Sequence, residues 1–159
     1  MSRKQTIQKL YNIIYRIIST SVIALAAILA ILNLCGIRMY NVRSGSMEDA
    51  IPLGSLCFVS TYSSYDDIKV NDVISFHLDD MKVTHRVAEI TSEGFVTKGD
   101  NNENSDPEPV TESNYIGKTV FAVPKIGAVL GKLRSLGGIV FSSVVLALFL
   151  AGGHFYKKT

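Results

Sequence analysis

Apolar and polar positions alternate along this chain in three regimes. Residues 17–37 (IISTSVIALAAILAILNLCGI) carry no charge, and residues 136–156 carry none apart from His154. At ~1.5 Å per residue each run is long enough to cross a ~30 Å hydrocarbon core as a helix. Between them the pattern shortens to strand-length stretches. Leu56–Ser60 is a short apolar strand, and Tyr62–Asp67 is a polar turn region. Val73–Leu78 and Val83–Ile90 flank Asp79-Asp80, which predicts a hairpin. Glu93-Gly94 marks a turn before Phe95–Lys98, residues 99–109 (GDNNENSDPEP) are dense in turn formers, and Lys118–Val123 is a last strand stopped by Pro124. From Lys125 the period becomes helical: Ile126, Val129, Leu130, Leu133 and Leu136 share a face beside Lys125, Lys132 and Arg134. Such a segment suits the membrane surface, or else packs on the preceding domain.

The pattern predicts a mostly β protein, a small antiparallel β domain between an N-terminal and a C-terminal transmembrane helix. Its divisions are a basic stretch 1–16, a span 17–37, a β-rich domain 38–123, an amphipathic segment 124–135, a second span 136–156 and a tail 157–159. With 159 residues there is room for one modest domain plus these accessories. A net charge of +2 is less informative than its placement: Arg3, Lys4, Lys9 and Arg16 precede the first run, and no acid occurs before Glu48. The positive-inside rule puts the N-terminus in the cytoplasm. A second crossing returns Lys157 and Lys158 to the same side, leaving the β domain outside the cell membrane. The first apolar run exceeds the ~7–15 residues of a cleavable signal core, so it reads as an uncleaved anchor. Leu34 also stands where a lipoprotein cleavage box before Cys35 needs a small residue. Cys35 and Cys57 do not make a disulfide framework, no Cys/His spacing resembles a metal site, and basic residues cluster only at the membrane edges, which excludes a nucleic-acid surface.

The candidate chemistry begins soon after the first span. In Asn41-Val42-Arg43-Ser44-Gly45-Ser46-Met47-Glu48 two serines flank a glycine, and Ser46 follows Ile37 by nine residues. A solvated turn looks the same, and a serine hydroxyl is a poor nucleophile unless a base lies within hydrogen-bond reach. His85 shares a strand face with Val83 and Val87, so it points among apolar neighbours, as a core histidine also does. His77, beside the Asp79-Asp80 turn, is expected to be exposed, and His154 lies near the end of a span. Asp100 and Asp106, in the turn-rich loop, are carboxylates able to orient a base, or else simple turn residues.

These stretches together resemble the type I signal peptidases, specifically their endoplasmic-reticulum-type branch. Ser44-Gly45-Ser46-Met47-Glu48 is similar to the family's first box, Thr84-His85-Arg86-Val87 to its base box, and Lys98-Gly99-Asp100-Asn101-Asn102 through Asp106 to its acid box. The resemblance spans the whole outer domain, in order. It implies Ser46 as nucleophile, His85 as general base where the bacterial branch uses lysine, and Asp106 as third member of a catalytic triad. It further implies Ser44 as an oxyanion-hole donor and Asp100 as a supporting residue. Two positions depart from the family pattern: Asp49 stands in place of a usual proline, and Gly54-Ser55 in place of a common Gly-Asp.

The implied protein is a membrane-bound serine endopeptidase that cleaves N-terminal signal peptides from secretory preproteins through an acyl-enzyme on Ser46. It needs no metal or organic cofactor. Its partners are preprotein signal peptides and the lipid bilayer; a small domain without a large insertion also leaves self-association or a partner subunit open. Two rivals remain: a non-catalytic membrane-anchored β module that binds a secreted partner, and a Ser-Lys protease using Lys82, which alternation places on the strand face opposite His85.

Overall fold

One helix, α1 (Arg3–Leu34), takes in both the basic lead-in and most of the first apolar run of the chain. This computed structural model describes residues 3–135 together with Gly137, Ile139, Val140 and Ser143. No glycine or proline interrupts residues 3–34, so nothing in the sequence separates the basic segment from the span. Gln5–Leu34 is long and apolar enough to cross a membrane. Two of its hydroxyls are turned back on the helix, Ser19 Oγ and Thr20 Oγ1 both donating to the Arg16 carbonyl, at 3.1 and 2.7 Å, which suits an apolar setting. The helix stops three residues short of the expected Ile37. Gly36 adopts φ +73°, a left-handed conformation that ends a helix without strain only at glycine. A Cβ there would also press on the Tyr62 ring at 2.7 Å.

Residues 35–134 form a separate unit, built on one six-stranded sheet. Its strands are β1 (Ile37–Asn41), β2 (Leu56–Ser60), β3 (Val73–Leu78), β4 (Met81–Thr91), β5 (Gly94–Lys98) and β6 (Tyr115–Val123). The spatial order is β1-β2-β6-β3-β4-β5, every neighbouring pair antiparallel. β2 and β3 have the limits their apolar runs predict, whereas β4 and β6 extend beyond theirs. β1 is not among the strands the apolar runs predict: Ile37, expected to close the span, opens a strand paired to Ser60, and 38–41 continue it inside the β-rich domain. Register shifts at Phe58/Val59, Ser75/Phe76 and Val87/Glu89 break the ladders, and such bulges bend strands.

Two apolar clusters hold the sheet. Ile68, Ile74, Phe76, Val87, Phe95 and Val110 form one; Met47, Ile51, Cys57 and Val59 form the other. Both cysteines are free, and burial pushes the Cys57 thiol up to about 11, so it remains an apolar core group. A short helix, α2 (Ile126–Arg134), docks on the unit through its small residues. Ala128 N–H donates to the Gly54 carbonyl at 2.9 Å, and a side chain at Gly127 would collide with the Ser55 carbonyl and Asn41. Its apolar face is left open: Ile126, Val129, Leu130 and Leu133 are all exposed. Leu136, most of the expected second span at 136–156 with His154, and the tail 157–159 lie outside the described residues.

Candidate active site

The sequence from Asn41 to Ser55 leaves β1 and returns to β2 as a tight loop, and Ser46 sits at its turn. Met47, the next residue, is buried in the second apolar cluster, so the nucleophile candidate is anchored by its neighbour's side chain. Helical-type bonds follow at once, from Ala50 N–H to the Met47 carbonyl at 2.9 Å and from Glu48 N–H to the Gly45 carbonyl at 3.1 Å. The loop's two unusual positions are accommodated locally. Ser55 is fully buried with its hydroxyl donated to the Pro52 carbonyl, while Asp49 is exposed to solvent.

His85 comes from the middle of β4, where alternation turns Val83, His85 and Val87 to the same side. His85 is buried, at 6% exposure, and its imidazole lies edge-on to Phe76. Its Nε2 is 2.9 Å from Ser46 Oγ and its Nδ1 is 2.7 Å from Asp106 Oδ2. An ionised carboxylate only accepts, so Nδ1 carries the proton and Nε2 accepts from the serine hydroxyl. A hydroxyl, an imidazole and a carboxylate are thus brought into one line, the arrangement that lets Oγ lose its proton as it attacks. Ser44 Oγ stands 3.3 Å from Ser46 Oγ on the exposed side of the turn. His77 is exposed on β3, as its place beside the hairpin turn implies. Lys82 pairs with His77 across the hairpin, and its ammonium lies 4.7 Å over the Tyr40 ring.

The acid loop leaves β5 and grips the serine turn directly. Asn101 N–H donates to the Ser46 carbonyl at 2.8 Å, and the Asn101 amide donates to the Gly45 carbonyl at 3.3 Å. Gly99 permits this approach: a Cβ there would stand 2.6 Å from the Ser46 carbonyl oxygen. Asp100 bonds not to the imidazole but to the residue that follows it in the chain, Arg86. It receives Arg86 in a two-pronged pair, Nε to Oδ1 at 2.8 Å and Nη2 to Oδ2 at 2.7 Å, while Nη1 reaches the Asn71 carbonyl at 2.8 Å. Hydrogen bonding from Arg86 holds the Asp100 carboxyl below its usual value against the opposing pull of burial, and Asp100 in turn raises Arg86. Asp106 is tied to β5, its N–H donating to the Thr97 carbonyl at 2.8 Å and its Oδ2 accepting from Thr97 Oγ1 at 2.6 Å.

Arg86, Gly99 and Asn101 stand in the boxes quoted from the sequence but were given no role there, and Thr97 was not singled out. One signal was available: Thr97 falls on the inward side of a strand beside Phe95, where a polar side chain needs a buried partner. Among the described residues, no group of three or more His, Cys, Asp or Glu is arranged to hold a metal ion.

With this geometry in view, comparison with known proteins is informative. Residues 14–124 match the sequence profile described as signal peptidase, peptidase S26. The chain belongs to that family. It is 36% identical over 126 residues to signal peptidase I W of Bacillus subtilis (strain 168), covering 71% of this chain and 66% of that protein. It is 36% identical over 72 residues to the human signal peptidase complex catalytic subunit SEC11C, covering 41% and 37% of the two chains. The SEC11 subunit of Colletotrichum graminicola is 30% identical over 101 residues, covering 55% and 59%. The chain thus spans just under two thirds, or less, of the length of these relatives.

Proposed function

We propose that this protein is a membrane-anchored serine endopeptidase that removes N-terminal signal peptides from secretory preproteins. The observation that carries the reading is the unbroken line from Ser46 Oγ through His85 to Asp106, at 2.9 and 2.7 Å, in a chain of the signal peptidase family. The names of its relatives supply the substrate class. In the reaction, Oγ of Ser46 bonds to the scissile carbonyl carbon as its proton passes to Nε2 of His85. Asp106 stabilises the imidazolium through Nδ1. Charge on the former carbonyl oxygen is met by the Ser46 backbone N–H and the Ser44 hydroxyl, donors of a kind worth roughly 10²–10³ in rate. The C–N bond then breaks, the leaving amine takes the proton from Nε2, and the signal peptide stays as an ester on Ser46. Water, deprotonated by the same Nε2, attacks that ester, releases the peptide carboxylate and restores the serine.

Asp100 supports the site from outside the proton path: paired with Arg86, the residue after His85, it fastens the acid loop to β4. Anchorage follows the same reading. The apolar part of α1, from Ile17 to its end at Leu34, crosses the cell membrane from a cytoplasmic N-terminus; the β domain up to residue 123 is extracytoplasmic, 124–135 lies on the bilayer surface, and 136–156 returns the chain to a cytoplasmic tail at 157–159. The open apolar face of α2, flanked by Lys125 and Lys132, supports the surface placement. Self-association or a partner subunit belongs to the same proposal, and the names of two relatives as subunits of a signal peptidase complex support the partner.

Cleavage of a preprotein by the full chain in detergent tests the proposal. The wild type should cut after a small residue, and Ser46→Ala and His85→Ala should both be inactive. A His85→Ala variant that still cuts would overturn the assignment of the base and turn attention to Lys82.

A further inference from the structure

Thr97 occupies a strand position that alternation reserves for an apolar side chain. It faces inward from β5 with Phe95 and is fully buried. Valine would fill the same space without needing a partner, whereas an unmet buried hydroxyl costs about 1–3 kcal/mol. The partner here is Asp106. Thr97 Oγ1 donates to Asp106 Oδ2 at 2.6 Å, and that same oxygen accepts the His85 Nδ1 proton at 2.7 Å. The Thr97 carbonyl also takes the Asp106 backbone N–H at 2.8 Å, so the two residues are joined twice. Thr97 is in turn paired with Val87, two residues beyond His85 on β4. The threonine therefore links the end of a turn-rich loop to the ladder that carries the imidazole.

The link has a physical use. A carboxylate turns readily about its terminal bond, because that torsion is broad and roughly two-fold. With the imidazole as sole donor, carboxylate and ring can swing together and carry Nε2 away from the serine. A second short donor on the same oxygen, fixed by a buried strand, removes that freedom. We propose that Thr97 is a positioning residue, whose hydroxyl holds Asp106 Oδ2 in line with His85 Nδ1 and thereby aims Nε2 at Ser46. Its effect on turnover rests on the peptidase reading above; the orientation of Asp106 does not.

The test compares Thr97→Val, Thr97→Ser and the wild type as full chains in detergent, using a synthetic signal-peptide substrate. Thr97→Val should lower kcat about 10- to 100-fold, the loss of one hydrogen bond to a charged group, with KM within about twofold. Thr97→Ser, which keeps the hydroxyl, should recover most of the rate. In an Asp106→Ala background Thr97→Val should cost nothing further, since a residue acting through Asp106 has nothing left to position. The His85 Nδ1 proton resonance should shift in Thr97→Val and return in Thr97→Ser, whether or not the protein turns over substrate. If the wild type is inert yet the resonance shifts, the peptidase reading fails and the positioning of Asp106 stands. An unshifted resonance with unchanged kcat, or a Thr97→Val penalty that persists in full without Asp106, overturns the proposal.

Discussion

Asp100 and Asp106 stand six residues apart in one loop and carry the same charge, yet their surroundings give them different work. Asp100 faces an arginine, whose planar fork matches both of its oxygens at 2.8 and 2.7 Å. That pair closes one strand onto one loop, and its charge is neutralised where it stands. Asp106 faces an imidazole and a threonine hydroxyl, two donors on a single oxygen. Its charge is balanced only when the imidazole gains a proton, which in our account happens as Ser46 attacks. A carboxylate in a conspicuous loop is thus assigned by the partner across from it, and the two partners are adjacent residues, His85 and Arg86, pointing to opposite sides of β4.

The sharpest way to break this division is Asp106→Asn. We expect kcat to fall by about 10⁴-fold, because an amide no longer holds the reactive tautomer, while thermal unfolding barely moves. Next comes Gly99→Ala. Its Cβ would meet the Ser46 carbonyl, so the serine turn must shift, and we expect a kcat loss of about 100-fold with the substrate still bound. Asp100→Asn should reverse the emphasis. It leaves Arg86 without its carboxylate and should destabilise the domain by about 1 kcal/mol, with turnover reduced less than tenfold, as seen by denaturation and steady-state rates. Were Asp100→Asn to reduce kcat more than Asp106→Asn, the roles would have to be exchanged.

Acid should sharpen the same contrast. The folded-state carboxyl of Asp100 lies below its ordinary 3.8, chiefly through the Arg86 hydrogen bond. Its contribution to stability is therefore complete above about pH 4 and is lost as pH falls through the lower folded value. Acid unfolding of Asp100→Asn should lack that component, so wild type and variant should converge in stability at low pH. The smallest effect belongs to His77→Gln, an exposed histidine one strand away, which should change the rate by less than about twofold.

Much of this architecture was legible in the sequence because hydrophobic alternation records burial directly. β2 and β3 follow their apolar runs residue for residue, and His85 was placed inward by Val83 and Val87. β1 was hidden because Ile37 continues an apolar run in composition, and only the left-handed Gly36 shows where helix gives way to strand. The extension of α1 back to Arg3 was hidden for a related reason: charge marks a membrane boundary, but it does not end a helix. Ser46, His85 and Asp106 lie far apart in the chain, and their pairing was suggested by family resemblance; the sheet brings them together. Gly99 and Asn101 could not be read in advance, since their role is a close approach between two loops that no local pattern encodes.

The central claim is that Ser46, activated by His85, carries the peptide as an ester. Mass spectrometry of the full chain, quenched in acid during turnover of a synthetic signal peptide, tests it most directly. We predict an adduct equal to the acyl portion of the substrate on the fragment containing Ser46, absent in Ser46→Ala and His85→Ala. Turnover with an adduct on another residue, or with an adduct that survives the loss of His85, would contradict the account.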